Sequence, residues 1–407
     1  MQIIKSLIKL FVFVCPVTAA AQSTYLTQGS KEYHFIDRLE IKQQKNTDLN
    51  FSSLKPYNRR AIVMQAQLID SARSAKLTKV DEYNLRSLYM NNSEWVSNPG
   101  EDAKSKLPIL KTFYKTRPNL LEVNTKDFFL VVNPVLQLQY GKESDNDETQ
   151  YLNSRGVSIR GRIANKIGFS STIIENQERG PSYFQDRVNS VKAVPGVGFY
   201  KPFKTTGFDY FDARGYITFN ATKYIDIQFG YDKNFIGNGY RSLLLSDWGN
   251  SYLFAKLNTK IWKINYQNIF MELIPQFRKR SDSLLSRKYA AIHHLSMNVT
   301  KWLNVGLFEG VVFGRKDHYD FQYLNPIIFY RHIEGTIGSP DNALAGFDFK
   351  ANIAKRFQLY GQFLLDEFIL SKVKNNPSNW VNKWAIQAGV KYIDAFGLKN
   401  LDLQFET

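Results

Sequence analysis

The chain has 407 residues, with 53 Lys plus Arg against 37 Asp plus Glu, 59 aromatic residues (30 Phe, 23 Tyr and 6 Trp) and one Cys. The aromatic content excludes a disordered chain, the single Cys excludes a disulfide framework or a cysteine-based metal site, and a mean hydropathy of -0.34 excludes a helical membrane bundle. An aromatic share of 14% favours β-structure, because aromatic side chains suit a pleated surface.

Residues 1–21 predict a signal peptide. Lys5 and Lys9 precede an apolar stretch, and Ala19–Gln22 offers a small-residue cleavage site. Cys15 lies inside the apolar stretch, so we interpret it as part of the removed signal rather than as a lipoprotein cysteine. Removal takes away two lysines, and the net charge falls from +16 to +14. An exported basic chain is expected to meet an anionic glycan or the phosphate-rich face of an outer membrane, not nucleic acid.

Residues 22–117 predict a small α-helical domain. Apolar residues recur there at helical spacing, as in Ile62, Ala66 and Ile69. Thr78 and Asp81 have the spacing of a capping box at a helix start. The segment is too polar to span lipid, and it precedes the alternating segments that begin near residue 126. We therefore expect it in the periplasm, at or inside the mouth of a barrel, with a Pro- and Gly-punctuated link up to Pro118.

Residues 118–407 predict an all-β, antiparallel transmembrane β-barrel in the cell outer membrane. From about residue 126, segments of roughly ten residues alternate between apolar and polar side chains, as a wall between lipid and water requires. Ile227, Phe229 and Tyr231 alternate with Gln228 and Gly230, for example. The pattern places these polar residues in the lumen: Arg160, Arg162, Lys263, His294 and Asp366. Alternation alone leaves a soluble sandwich with one wet face open as the alternative.

Two further features favour the barrel. Tight junctions, such as 221–223 and 258–260, alternate with longer polar loops, such as 278–287. Aromatic residues lie at segment ends, where an interfacial girdle is expected. These are Trp302, Trp380, Trp384, Tyr392 and Phe396.

Two features fit less simply. Glu309 shares a face with Leu303, Val305 and Leu307, which predicts either a β-bulge or an error in the assigned register. The count is about thirteen strands, and the sequence stops within an alternating segment at Thr407. Bacterial barrels have an even strand number and a closed edge, so we expect the chain to be incomplete at its C-terminus. The alternative is a miscounted strand in the stretch 180–208.

Two loop motifs interrupt the alternation. Gly237–Asp247 contains a Gly-x-Gly, but no Gly-Lys-Ser/Thr follows and no βαβ unit surrounds it, so it is not a phosphate loop. A plain loop, with Arg241 pairing locally to Asp247, accounts for it equally well. Ser339–Asp348 begins with Ser-Pro-Asp-Asn, which ordinary turn chemistry explains.

Taken together, the motifs resemble a known family. The residues that carry the resemblance are Lys55–Arg60, Gly237–Asp247, Asn325–Pro326 with Arg331 and Glu334, Ser339–Gly346, and Tyr360–Gln362 with Asp366–Phe368. They resemble the capsule assembly protein Wzi family, above all its Bacteroidota branch, which includes the gliding-motility protein RemB. The similarity runs over most of the mature chain, and members of the branch tend to be longer.

The resemblance implies a non-catalytic outer-membrane barrel with an N-terminal helical part, which binds or anchors surface polysaccharide in capsule assembly or gliding motility. Implied partners are surface polysaccharide, outer-membrane lipid, and proteins of an export or gliding machinery. A sugar site needs polar side chains beside aromatic rings. The candidates that supply this mixture are Tyr240, Arg241, Asp247, Trp248, Asp341 and Asn342. Loop packing or a solvated charge explains any one of them equally well.

Two other functions remain as alternatives. An outer-membrane hydrolase needs a His beside Asp or Ser at the rim. His293 and His294 are adjacent on a strand and point to opposite faces, and no nucleophile and base pair is visible. We therefore expect no enzyme activity, no cofactor and no metal site. A passive diffusion porin is the second-ranked reading, although such a porin would not need the helical domain.

Overall fold

The computed structural model describes residues 23–96, 103–275, 285–316, 318–327, 329–339, 341–366 and 383–407. The predicted signal peptide lies outside these ranges. The start of the predicted link and most of the predicted polar loop also lie outside them. Four residues of the motifs and of the aromatic girdle lie outside them as well. These last are Pro340, Glu367, Phe368 and Trp380.

Three α-helices lie in the described N-terminal region, and the second and third are at the positions that the sequence predicts. They are α1 (Lys31–Gln43), α2 (Arg59–Ser71) and α3 (Lys79–Asn91). Ile62, Ala66 and Ile69 are buried on one face of α2, which confirms the helical spacing. Thr78 and Asp81 form the predicted capping box, with the Thr78 hydroxyl 3.1 Å from the Asp81 amide and the Asp81 carboxylate 2.9 Å from the Thr78 amide.

The rest of the chain is mainly antiparallel β-structure. The N-terminal half contributes β1 (Leu54–Lys55), β2 (Leu121–Asn124), β3 (Phe128–Glu143), β4 (Asn146–Ile163), β5 (Ile167–Arg179), helix α4 (Ser182–Val191), β6 (Lys201–Phe203), β7 (Gly207–Asn220), β8 (Ile225–Asp232) and β9 (Phe235–Ile236). The C-terminal half contributes β10 (Tyr252–Ile261), β11 (Ile264–Leu273), β12 (Lys288–Asn298), β13 (Leu303–Phe313), helix α5 (Tyr330–Ile337), β14 (Asn342–Ile353), β15 (Phe357–Asp366), β16 (Lys383–Tyr392) and β17 (Leu403–Glu406).

In the described part of the chain, fifteen strands form one sheet, which we call the wall, and β1 pairs separately with β9. Apart from β2 and the short β6, thirteen wall strands follow residue 126, the number that the sequence predicts. The stretch 180–208 holds α4 and β6 rather than a missed full strand. Among the described residues, β2 and β17 do not pair with each other, so the closed barrel that we expected is not observed.

The two faces of the wall differ as the alternation predicts. Phe229, Tyr231 and Met297 are exposed on the outer face, whereas Gln228 and His294 are buried on the inner face. Paired residues of antiparallel strands share a face, so the pattern continues across the sheet. The predicted alternation is confirmed at these positions, whereas Phe254 and Phe308 on the inner face and Glu309 on the outer face depart from it.

The wall curves around the N-terminal helices. We call residues 23–96 the plug, because wall strands far apart in the sheet contact it. Arg160 of β4 forms an ion pair with Glu94, and Lys391 of β16 lies 2.6 Å from Asp37. Both partners belong to one small unit with a single apolar core, so the strands must bend around it. None of the helices in the described part of the chain is long and apolar enough to cross a membrane.

The connections define two rims. Short turns lie at one end of the strands, and long connections such as 233–251 lie at the other. The turn 221–224 follows the prediction, but residues 258–260 lie within β10, and the turn falls at Trp262–Lys263. Lys263 is therefore an exposed rim residue rather than a lumen residue. The indole of Trp262 beside it is 79% exposed, and Trp302 also lies in a turn of this rim.

Glu309 is the clearest departure from the expected pattern. The pairing of β13 with β12 and β14 shows no register shift, so neither the predicted bulge nor the predicted register error occurs. Glu309 does lie on the outer face. The long β13–β14 connection folds back over it, and the Arg331 amide lies 3.3 Å from the Glu309 carboxylate.

Candidate functional site

The interior of the wall is occupied by the plug and by a second segment, residues 233–251, which joins β8 to β10. We call this second segment the crossing loop. Its Ile236 and Leu244 are buried against Leu54 of the plug and against Phe254 and Phe308 of the wall. Leu244 and Leu245 thus pack inside the wall, where the sequence predicted a plain loop.

The two glycines of the motif allow the crossing loop to approach the wall closely. A Cβ at Gly237 would lie 2.8 Å from the Gln362 side-chain nitrogen. A Cβ at Gly239 would lie 2.1 Å from a Glu406 carboxylate oxygen and 2.9 Å from the Arg241 carbonyl oxygen. Glycine is needed at 239, where one close neighbour is backbone, whereas the neighbour at 237 is the end of a side chain that can shift. The Gly-x-Gly spacing therefore serves docking onto the wall rather than phosphate binding.

Wall side chains hold the crossing loop by its backbone. The Glu406 carboxylate accepts hydrogen bonds from the amides of Tyr240 (2.8 Å) and Arg241 (3.1 Å). It also accepts one from the Tyr360 hydroxyl at 2.7 Å. Gln362 accepts from the Leu243 amide at 2.8 Å and donates to the Ile236 carbonyl at 3.1 Å. These bonds fix the loop without using the side chains of Tyr240 and Arg241.

Those free side chains form an exposed group at the long-connection rim, which we call the aromatic clamp: Tyr240, Arg241 and Trp248. The Arg241 guanidinium lies 4.8 Å from the ring centre of Tyr240 and 5.0 Å from that of Trp248. Tyr240 is 73% exposed and Trp248 is 60% exposed. Cation–π contacts of this kind hold the three groups together while leaving hydrogen-bond donors and ring faces open to a ligand.

The other predicted sugar-site residues differ in their surroundings. Asp247 lies half-buried in the crossing loop, and no ion pair joins it to Arg241 within the described residues, so the local pair considered above is absent. Asp341 lies at the end of the β13–β14 connection. Its carboxylate accepts two hydrogen bonds from Arg315 (2.8 and 2.9 Å) and one from the Tyr323 hydroxyl (2.8 Å). Asn342 begins β14 and pairs with Val312.

Of the predicted lumen residues, Arg160 and Arg162 contact the plug, and His294 and Asp366 each pair with another residue of the wall. Arg160 also donates to the Asn91 carbonyl at 2.9 Å, and Arg162 lies 4.8 Å from the ring centre of Trp95. His294 is fully buried, 2.6 Å from Asp348. Asp366 lies at the end of β15, 3.7 Å from Lys383.

Sequence reasoning missed the strongest contact between plug and wall. The Lys350 ammonium of β14 lies 2.8 Å from the Glu40 carboxylate and 2.5 Å from the Ser52 hydroxyl. Asn352 donates to Glu40 (3.0 Å) and to Asn50 (3.1 Å), and every residue of this group is buried. A lysine at an inward position of the alternation was visible in the sequence, but its partner lies far away in the chain.

A second ion-pair group joins the plug to the short-turn rim. Arg38 of α1 contacts the carboxylates of Asp81, Asp394 and Asp402, and Lys42 lies 2.8 Å from Asp394. Burial alone would raise the pKa of all three carboxyls. Hydrogen bonds from neighbouring groups, with Arg38 common to all three, outweigh burial and hold each pKa below its usual value.

A chamber of about 230 Å³ remains between the plug and the wall. Tyr25 and Gln28 line it from the plug, and Thr172, Asp212 and Arg214 line it from β5 and β7. Arg214 is already paired with Asp212 at 2.6 Å. The described residues contain no group of three or more His, Cys, Asp or Glu that could hold a metal ion.

Comparison with known proteins gives similarity at the level of structure. No family model matches the sequence, and no curated protein matches it. The structure is similar to that of Wzi from Escherichia coli, described as an outer membrane protein involved in group 1 capsule assembly and a carbohydrate-binding β-barrel. The identity is 14%, the match covers 95% of this chain and 71% of that chain, and the TM-score is 0.48.

Two structures from Pseudomonas aeruginosa are similar at lower TM-scores. OpdL shares 9% identity, with 69% of this chain and 90% of that chain covered and a TM-score of 0.24. OccK9 (OpdG) shares 10% identity, with 69% and 91% covered and a TM-score of 0.29.

Proposed function

We propose that this is a non-catalytic protein of the cell outer membrane that binds or anchors surface (capsular) polysaccharide at the aromatic clamp. The observation that carries the proposal is the geometry of Arg241 between two exposed rings, on a loop whose backbone is fixed to the wall. In outer-membrane barrels the longer connections face the cell exterior. The clamp lies at that rim, so it would meet polymer outside the cell.

The chemistry of the clamp suits a sugar. Pyranose rings offer apolar C–H faces that pack on aromatic rings, and their hydroxyl groups accept hydrogen bonds from a guanidinium. The predicted mature charge of +14 follows from +16 less two lysines of the predicted signal, and it favours acidic glycans. We therefore infer that the ligand is a uronic-acid or otherwise anionic polysaccharide.

Binding of a defined polymer tests the clamp directly. We would titrate the protein in detergent with alginate, an acidic polymer, and with dextran, a neutral one. Replacing Arg241 or Trp248 by Ala is expected to weaken alginate binding roughly tenfold each, because one cation–π or stacking contact contributes about 1–2 kcal/mol when partly desolvated. Dextran is expected to bind more weakly than alginate to the unmodified protein.

The chain supplies a matched control. Trp262 and Lys263 form a similar exposed pair, 5.3 Å apart, in a turn at the opposite rim. Trp262→Ala removes an indole that is even more exposed than that of Trp248 without touching the clamp, and alginate binding is expected to stay unchanged. Equal loss in Trp262→Ala and Trp248→Ala, or no loss in either, would show that the clamp is not the binding site.

The cellular role is the finer part of the proposal. Support comes from the motif resemblance to the capsule assembly family and to its gliding-motility branch. Export or gliding machinery proteins are proposed partners on the same grounds. Deleting the gene, staining for capsule and measuring surface spreading tests both roles. Loss of capsule with normal spreading would assign the capsule role, loss of spreading alone would assign gliding, and no change in either would contradict the proposal.

The passive-porin alternative predicts an open lumen. The plug and the crossing loop both occupy the interior, and Leu54↔Ile236 pairing joins them across it. A plugged anchor should give almost no current in planar bilayers. Steady open-channel conductance from the unmodified protein would favour diffusion over anchoring.

A further inference from the structure

The β13–β14 connection does not project away from the rim but lies against the outside of the wall. We call its described residues 318–327 and 329–337 the outer cover. Its Tyr323, Tyr330 and Ile333 are buried against outward-facing residues of β11, β12 and β13. The wall residues beneath them are Phe270, Tyr289, Ala291, Val311 and Phe313. The ring centres of Tyr323 and Phe313 are 4.7 Å apart, and those of Tyr330 and His293 are 4.0 Å apart.

The cover conceals polar residues that interrupt the apolar outer face. Asn268, His293 and Glu309 are register partners on three adjacent strands, so they lie side by side in the wall. Polar or ionised side chains left uncovered on a lipid-facing wall are destabilising. The amide of Arg331 at the start of α5 donates a hydrogen bond to the Glu309 carboxylate, and the ring of Tyr330 lies tilted against that of His293.

The depth of the cover follows from one hydrogen bond. The Tyr266 hydroxyl donates to the Pro326 carbonyl at 2.6 Å. Tyr266 lies in one row of register partners with Leu295, Leu307 and Phe347 across β11 to β14. We call Pro326, Ile327 and Phe329 the tip of the cover. The tip is therefore level with outward-facing wall residues that lie closer to the short-turn rim than Glu309 does, well inside the length of the strands.

The outer side of the tip is apolar and exposed. Ile327 is 82% exposed and Phe329 is 75% exposed, next to Leu307 at 59% and Phe347 at 40%. Arg331 and His332 follow them and are also exposed, and the Arg331 guanidinium is paired with Glu334 of the same helix at 2.6 Å. The outer face of the wall is thus apolar around the polar residues, and the exposed Ile327 and Phe329 of the cover extend that apolar surface.

We propose that the tip of the outer cover is a membrane-embedded surface whose partner is the acyl-chain layer of the bilayer, with Ile327 and Phe329 in direct contact with lipid. The proposal rests on the outer-membrane location proposed above, but not on polysaccharide binding. Asp341 gains a role in it: by holding Arg315 and Tyr323, it fixes the cover against the wall near the rim. A second protein copy over the same face is the competing occupant.

Nitroxide labelling of the protein in phosphatidylcholine vesicles tests this. The one cysteine of the chain is Cys15, in the predicted signal, so a single new cysteine in the mature protein carries a unique label. Labels would be placed at Ile327→Cys and Phe329→Cys. Leu307→Cys serves as the lipid-facing reference and Trp248→Cys as the water-facing reference. Collision rates with oxygen, which concentrates in the bilayer, and with a water-soluble nickel chelate would be measured for each.

We expect Ile327 and Phe329 to show high oxygen and low nickel accessibility, as at Leu307, and Trp248 to show the reverse. Nickel accessibility at the tip equal to that at Trp248 would place the tip in water and overturn the inference. Low accessibility to both reagents would mean that protein covers the tip, which also overturns it. A water-exposed label at Leu307 would instead contradict the membrane location itself, so the two failures are distinguishable.

Discussion

The plug and the crossing loop both fill the interior of the wall, yet the wall holds them by different chemistry. The plug is held by its side chains, above all by the buried Lys350–Glu40 pair and by Arg38 at the short-turn rim. The crossing loop is held by its backbone, through Glu406 and Gln362. The difference is that the plug has committed its charged groups to the wall, while the crossing loop keeps the clamp side chains available for a ligand.

Because they are held differently, the plug and the crossing loop are expected to respond differently to mutation. A buried charge left without its partner is strongly destabilising, whereas a surface ion pair contributes little. A backbone held through close contact is sensitive to added volume rather than to charge. Four measurements compare these cases, taken from the largest expected effect to the smallest.

Lys350→Met is expected to have the largest effect. It leaves the Glu40 carboxylate buried without its cation and should lower the free energy of unfolding by about 3–5 kcal/mol. Urea unfolding in detergent measures this. The double variant with Glu40→Gln removes both charges and should recover part of the loss. If the single variant were as stable as the unmodified protein, the side-chain account of plug retention would be wrong.

Acidification should have the second-largest effect, because it weakens the ion pairs of Arg38 with the three aspartates. The carboxyl pKa values of Asp81, Asp394 and Asp402 are lowered in the folded protein, so their contribution is complete above the unfolded pKa of about 4 and is lost as pH falls below it. We expect the stability difference between the unmodified protein and Arg38→Met to shrink by about 1–2 kcal/mol between pH 7 and pH 2. A difference that stays constant with pH would contradict the assignment.

Gly239→Ala probes the crossing loop. The added methyl group would overlap Glu406, and relief of that overlap should cost about 1–2 kcal/mol and displace the clamp, with weaker alginate binding. Gly249→Ala is the matched control, because a Cβ there has no heavy atom within 4 Å and the same loop is altered. Equal alginate affinity in the two variants would show that docking on Glu406 does not position the clamp.

Lys260→Met should have the smallest effect. Lys260 also joins the wall to the plug, 2.7 Å from Asp48, but both side chains are more than a third exposed. The expected loss is at most about 1 kcal/mol in the same urea titration. A loss of stability comparable to that of Lys350→Met would show that burial does not explain why the two ion pairs should differ in their contribution.

The wall could be predicted from the sequence, because its signal is local. Alternation within single segments placed Phe229 outside and His294 inside, and the capping residues Thr78 and Asp81 fixed the start of α3. These features depend on neighbours a few residues away. Lys263 was misplaced by the same method, since periodicity does not say at which residue a strand turns.

The interior could not be predicted, because its contacts join distant parts of the chain. Nothing near Lys350 in the sequence indicates Glu40 as its partner, and nothing near Leu244 indicates that it packs in one cluster with Phe308. Glu309 did give a signal, as the residue that broke the pattern. Its explanation, an external segment that covers it, required the fold. Asp341 was selected as a sugar ligand by composition, and its carboxylate contacts Arg315 and Tyr323.

The short β1–β9 pairing has a mechanical consequence. Leu54 and Lys55 of the plug pair with Ile236 and Phe235, and the Gly237 amide donates to the Ser53 carbonyl at 2.8 Å. A polymer strand tugged from outside the cell would load these backbone bonds in shear. A force on the clamp would thus be transmitted to the plug and shared among its buried ion pairs. The plug and the crossing loop together, rather than one loop alone, would then resist the pull of a bound polymer.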